Sequence, residues 1–164
     1  MVLNYSEFIH FSFTTDQKGG LTTEPYRHTV QYYETDKMQI VHHSNYIRWM
    51  EEARVYYLDR IGWNFRKLEE SGLISPVVSV SGKFRTSAEF TDEILVHIYV
   101  TEIKGASFVL KYRMFRESDG AFIFEGESVH CFTHEDGKFV RLERELPGLY
   151  EELKKQMEED PYPV

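Results

Sequence analysis

The chain has 164 residues, the size of one domain and enough to bury a core without metals or disulfides. Its net charge of −8 at pH 7 argues against a nucleic-acid partner, and no apolar run approaches the length of a membrane span. Hydrophobic residues make up 41% and aromatics 15%, a core-forming composition; the single cysteine, Cys131, excludes an intrachain disulfide and fits a reducing, cytoplasmic setting.

Residues 1–25 read as an extension whose role the residues do not give. The stretch "YSEFIHFSF" alternates aromatic and polar residues in the manner of an edge strand, and "TTDQKGGLTTEP" is turn and linker chemistry. No basic start leads into an apolar stretch, so no secretory signal is expected. A single domain is expected over 26–164. It opens with "HTVQYY" (28–33), rich in β-formers and short, a predicted strand.

The strongest helical pattern follows. Tyr46, Trp49, Met50, Ala53, Tyr57 and Ile61 recur at spacings of three or four, while Arg48, Glu51, Glu52, Asp59 and Arg60 take the other faces and Gly62 supplies a stop. A shorter helix is predicted from Asn64, its N-cap, to Gly72. The period then changes to two: "PVVSVSGKF" (76–84), "EILVHIYVTEI" (93–103), "SFVLKYRMF" (107–115) and "AFIFEGESVHCFT" (121–133) read as strands joined by turns at Lys104–Ala106 and "ESDG". The end, "LPGLYEELKKQMEED", reads as a short charged helix. The order strand, long helix, four strands predicts an α+β layer, an antiparallel sheet wrapped around one apolar helix.

Chemistry concentrates in "YYETDKMQIVHHSNY" (32–46): acids, two imidazoles and two phenols ahead of the long helix. By residue chemistry alone, Asp36 reads as a turn residue satisfying local backbone donors, and Tyr32, at a strand end, fits core packing and catalysis equally. Tyr46, Trp49 and Met50 read as core, although the start of that stripe also suits the wall of an acyl pocket. His42 and His43 lack the partners and spacing of a zinc site, so no metal is expected. No nucleophile elbow surrounds Ser128, Cys131 reads as structural, and phosphate-cradling glycine motifs are absent.

The patterns V-x-Y-x-x-T-D-x-x-x-x-V-x-H-x-N-Y (30–46), R-W-M-E-E-A-R (48–54) and F-x-x-x-A-x-F-x-D-x-I-x-V (84–96) resemble the 4-hydroxybenzoyl-CoA thioesterase family of hotdog-fold acyl-CoA thioesterases, including its Tol-Pal-associated members. The likeness runs in order from Arg27 to Thr133. It implies a hotdog fold, hydrolysis of an acyl-CoA to a carboxylic acid and CoA without a cofactor, and a homodimer or homotetramer with active sites at a subunit interface. It makes Asp36 the catalytic carboxylate, places Tyr32 and His43 beside it, and gives the His43 N–H the task of polarising the thioester carbonyl. An acyl-carrier-protein thioesterase and a non-catalytic acyl-CoA-binding protein are the alternatives. Two positions depart from the family pattern. Glu34 stands for a second acid and keeps its charge; Gln39 stands for a glycine that permits close approach or a positive φ. The phosphates of CoA call for a basic patch against the net charge, for which Lys83 and Arg85 are the candidates, with Lys104 behind them.

Overall fold

A computed structural model of the protein describes residues 24–157, so the expected edge strand in 1–25 and the last residues of the C-terminal helix lie outside the described part. In chain order the elements are β1 (Tyr26–Thr29), α1 (Ser44–Arg60), α2 (Phe65–Glu70), β2 (Leu73–Ile74), β3 (Val77–Phe84), β4 (Glu93–Lys104), β5 (Ser107–Arg116), β6 (Phe122–Cys131), β7 (Thr133–His134), α3 (Leu142–Glu145) and α4 (Pro147–Lys155). Five strands form one antiparallel sheet in the order β1-β4-β5-β6-β3, and β2 pairs with β7 in a small second ladder.

The α1 stripe is buried as its spacing requires: Tyr46, Trp49, Met50, Ala53, Tyr57 and Leu58 all face the core. They meet the alternate residues of β4 (Ile94, Val96, Ile98, Val100) and the inward side chains Phe108, Leu110, Met114 and Phe124. Truncating a fully buried Trp49 to alanine would cost about 3–5 kcal/mol by the usual cavity penalty. The helix ends where Gly62 takes φ 79°, with Gly62 N–H donating to the Asp59 carbonyl and Trp63 N–H to that of Leu58. That pair of bonds is a Schellman closure, which a side chain at a positive φ would strain. Asn64 then caps α2 by accepting the Lys67 N–H at 3.0 Å.

Two sequence expectations are corrected. The first strand ends at Thr29, not at 33: the chain turns through a 3-10 segment, Tyr32–Glu34, because Glu34 N–H donates to the Gln31 carbonyl while the Glu34 carboxylate accepts the Gln31 N–H. The C-terminal helix is more than a charged surface piece, since Leu149 and Leu153 of α4 are fully buried and α3 precedes it.

The strand β3 is an exception to the pattern of burial. It forms the edge of the sheet next to β6 and is exposed along its whole length, with Val77, Val78, Val80 and Phe84 open to solvent in the single chain. Ile47 and Val55 on α1 are likewise exposed.

Candidate active site

The segment between β1 and α1 is a small hairpin. Thr35 bridges Val41, Asp36 N–H donates to the Ile40 carbonyl, and His42 N–H donates to the Glu34 carbonyl. Its tip is a turn in which Gln39 N–H bonds the Asp36 carbonyl and Met38 N–H bonds Asp36 Oδ1 at 2.7 Å. Gln39 closes the turn with φ 65°, a left-handed conformation uncommon outside glycine and asparagine. Asp36 is half-buried, and its Oδ2 has no hydrogen-bond partner among the described residues.

Glu34 anchors the base of this hairpin onto α1. Its Oε1 accepts the Trp49 indole N–H at 2.8 Å; its Oε2 accepts the Gln31 N–H at 2.8 Å and faces His28 Nε2 at 2.9 Å. The Glu34 carbonyl also takes the Asn45 side-chain N–H at 2.8 Å. Burial works to raise the Glu34 pKa, but the Gln31, His28 and Trp49 donors outweigh it and leave the carboxyl below its usual range. An acid with all these bonds holds the site in shape; it has little capacity left to bind a substrate.

His43 stands immediately ahead of α1, with no side-chain cap there. The first amides of a helix have no intrahelical acceptor. Of those nearby, His42 N–H is taken by Glu34 and Asn45 N–H by the His42 carbonyl, whereas the His43 N–H meets no acceptor among the described residues. The His42 and His43 rings lie 4.0 Å apart, both exposed, and His42 Nδ1 is 2.9 Å from Ser44 Oγ. Asp36 lies in the turn of the hairpin, and His43 follows its second arm at the head of α1. Tyr32 is not core: it is 77% exposed, edge-on to Phe90 at 5.6 Å.

A cleft of about 270 Å³ opens between α1 and β3, walled by Ile47 and Met50 on one side, Val77 and Val80 on another, and Tyr112, Ser128 and His130 on its polar floor. Of the three stripe residues expected at an acyl pocket, Met50 lines this cleft. Tyr46 is enclosed by Trp49, Phe84 and Phe124 at ring distances of 5.0–5.2 Å, and Trp49 by Tyr46 and His28. Lys83 and Arg85 do lie together. Both reach Glu125, as does Arg113 at 3.0 Å, so three cations share one carboxylate. Lys104 is elsewhere: it sits opposite Ser107 at the far end of β4, about 20 Å along the strand from the His97–Arg113 pair. The expectation that it backs the patch is corrected by the strand register.

A family model described as "Thioesterase-like superfamily" matches residues 30–156, a span that takes in the hairpin, α1 and four of the five sheet strands. The chain belongs to this thioesterase-like superfamily. A Bacillus subtilis protein provisionally named an acyl-CoA thioesterase is 29% identical over 129 residues, covering 77% of this chain and 94% of its own. The 4-hydroxybenzoyl-CoA thioesterase of Pseudomonas sp. (strain CBS-3) is 25% identical over 130 residues, covering 76% and 92%. Among solved structures, the DHNA-CoA thioesterase from Staphylococcus aureus superposes with a TM-score of 0.76 at 30% identity, over 80% of this chain and 89% of that one. These likenesses bear out the hotdog fold and the family that the motifs pointed to.

Among the described residues of this thioesterase, no cluster of histidine, cysteine, aspartate and glutamate could hold a metal ion, and no helix is long and apolar enough to cross a membrane. The anchoring roles of Glu34, His28 and Asn45 are not visible in the sequence. The acid at 34 was legible as a charge, but its bond to Trp49 depends on how the hairpin docks.

Proposed function

We propose that the chain hydrolyses acyl-CoA thioesters to a carboxylic acid and CoA, with Asp36 as the base or nucleophile and the His43 N–H as the oxyanion donor. The observation that carries this reading is the hairpin itself: the family's motif positions fall on a turn that leaves one oxygen of Asp36 unbonded, followed at the head of α1 by the His43 N–H, which is also unbonded among the described residues. A thiol of pKa about 8.5 leaves as thiolate without a strong acid, so the site has two tasks. A carboxylate draws a proton from water, or attacks the carbonyl itself, and backbone N–H groups at a helix start stabilise the charge that builds on the carbonyl oxygen. Donors of that kind are worth roughly 3–4 kcal/mol to the transition state. When the C–S bond breaks, CoA departs as thiolate and the acyl group leaves as the acid. Tyr32 and the His43 ring, both exposed beside the hairpin, orient the thioester. Met50 meets the acyl group, while Tyr46 and Trp49 hold the wall behind it.

The site is completed by a second copy of the chain. An open edge strand with exposed valines is a liability in a lone domain and a natural seam in a symmetric pair, and β3 borders both the cleft and the exposed Ile47. A dimer built on β3 would close the cleft and bring a second surface over Tyr32 and His43. An active monomer in light scattering at assay concentration would contradict this. A tetramer suits the fold as well, and the single cysteine, Cys131, supports a cytoplasmic location.

A turn reshaped by Gln39, in place of the family glycine, would favour a non-catalytic binder of acyl-CoA. Its φ of 65° keeps the turn in the form a glycine would give, which supports the hydrolase. An acyl-carrier-protein substrate would need a basic rim larger than Lys83, Arg85 and Arg113 around Glu125, which favours CoA. Thiol release from a panel of acyl-CoAs, read with a thiol-reactive dye, tests the reading. Saturable binding without release, by protein of verified fold, would leave only the binder.

A further inference from the structure

The floor of the cleft is a hydrogen-bonded chain of buried side chains that the hydrolytic reading does not use. Tyr112 Oη lies 2.9 Å from Ser128 Oγ, which lies 2.6 Å from His130 Nε2; His130 Nδ1 is 3.2 Å from an Arg54 amino nitrogen. Arg54 is locked in turn by Glu51, with bonds of 2.7, 2.9 and 3.2 Å, and lies over the Phe65 ring. Tyr112, Ser128, His130 and Arg54 are each 3% exposed or less, a buried polar set that must hold its protons in a definite order.

That order follows from valence. A guanidinium only donates, so His130 Nδ1 carries a lone pair. The ring is neutral, its pKa pushed down to about 3 by burial and by Arg54, and its one proton is therefore on Nε2, donating to Ser128 Oγ. Ser128 is thus not activated by a base, and the pair is no nucleophilic dyad. Two hydroxyl protons remain, on Ser128 and Tyr112, and one bond joins the two oxygens. Whichever hydroxyl makes that bond, the other has a proton with no acceptor among the described residues. Both residues line the cleft.

The position along the cleft is also set. α1 and β6 run side by side: Tyr46 packs on Phe124 with tilted rings 5.2 Å apart, Met50 lies over Gly126 (a Cβ there would sit 2.8 Å from its sulfur), and Arg54 reaches His130. The hydroxyls at Ser128 are therefore two turns or more along α1 from His43, roughly 10–16 Å at 1.5 Å per residue. We infer that Arg54, His130, Ser128 and Tyr112 form a proton-ordered relay that presents one hydroxyl donor to the far end of the acyl site, selecting acyl groups with an oxygen acceptor remote from the thioester.

This inference rests on the thioesterase reading, and its test separates the two. The probes are two matched pairs: hexanoyl-CoA with 6-hydroxyhexanoyl-CoA, and benzoyl-CoA with 4-hydroxybenzoyl-CoA. For at least one pair the wild-type kcat/KM should favour the oxygenated member by at least about 10-fold, because an acyl group lacking the acceptor leaves a buried hydroxyl unpaired. The double variant Ser128→Ala/Tyr112→Phe should bring that ratio to within about 2-fold of unity, since neither member then leaves a protein hydroxyl unpaired. The single variants show which hydroxyl faces the substrate. Wild-type ratios near one for both pairs, or a folded double variant that keeps the preference, would overturn the relay and leave the thioesterase standing. If the double variant does not fold, the wild-type ratios decide alone. Hydrolysis of none of the four would overturn the thioesterase reading and this inference with it.

Discussion

The indole N–H of Trp49 donates to Glu34 Oε1 at 2.8 Å, and this bond joins the core of the long helix to the hairpin that carries Asp36. Trp49 is fully buried, so the carboxylate is held from below by a side chain that cannot move, while His28 and Gln31 hold its second oxygen. The segment that carries Asp36 is thereby tied to the core as well as closed by its own turn.

Glu34→Ala should therefore destabilise the protein by about 3 kcal/mol, since it leaves the buried Trp49 indole N–H without an acceptor and removes those of the Gln31 N–H and His28. Glu34→Gln keeps one acceptor and should cost about half of that. Urea unfolding followed by tryptophan fluorescence measures both. The loss of kcat should exceed what the unfolded fraction explains, because the hairpin loses its anchor.

Acid should weaken the fold from just below neutral pH. His130 is held near a pKa of 3 and His97 near 4, both depressed first by burial. The unfolded chain therefore takes up protons below about pH 6.5 that the folded chain refuses, and stability drops as pH falls through that window. Glu34, also depressed, adds a loss below the ordinary carboxylate value of about 4.3. The melting temperature should fall steadily from pH 7 to pH 4, and His130→Asn should shallow the slope above pH 5. A melting temperature constant between pH 7 and 5 would contradict the burial of neutral imidazoles.

Gln39→Gly should stabilise the protein by about 0.5–1 kcal/mol, as relief of a left-handed side chain exceeds the added backbone entropy of glycine. Thioesterase activity should be unchanged. Gln39→Val, β-branched at a positive φ, should lower both stability and kcat, read by thermal melting and thiol release.

Much of this was legible in the sequence. The α1 stripe, the Gly62 stop, the Asn64 cap and the period-two strands are local signals, and each became the element it predicted. The contacts that shape the site are not local. Glu34 and Trp49 are fifteen residues apart and Arg54 and His130 seventy-six, so neither pair announces itself by spacing. Ser128 and His130 fall two apart, on one face of β6, yet a serine and a histidine in a strand look like any outward polar pair until Tyr112 and Arg54 are docked against them. Lys104 lies away from the patch for the same reason: the strand register, set across the sheet, puts it opposite Ser107 at the far end of β4.

Removing both cations of the patch, as Lys83→Ala/Arg85→Ala, should raise KM for acyl-CoA several-fold at low salt with little change in kcat, and the effect should shrink as salt is added. The shared carboxylate of Glu125 limits its size. An unchanged KM at low salt would move the CoA phosphates elsewhere.

The most direct test is the kinetics of Asp36→Asn. Asparagine keeps the size of the side chain and can still accept the Met38 N–H, so the turn should form and the oligomeric state and melting temperature should match wild type. With the charge and basicity gone, kcat for acyl-CoA hydrolysis should drop by at least ~10²-fold while KM moves little, and further still if Asp36 is the nucleophile. A folded Asp36→Asn protein that retains most of the wild-type rate would contradict the account, leaving Asp36 as the turn residue its bond to Met38 makes it.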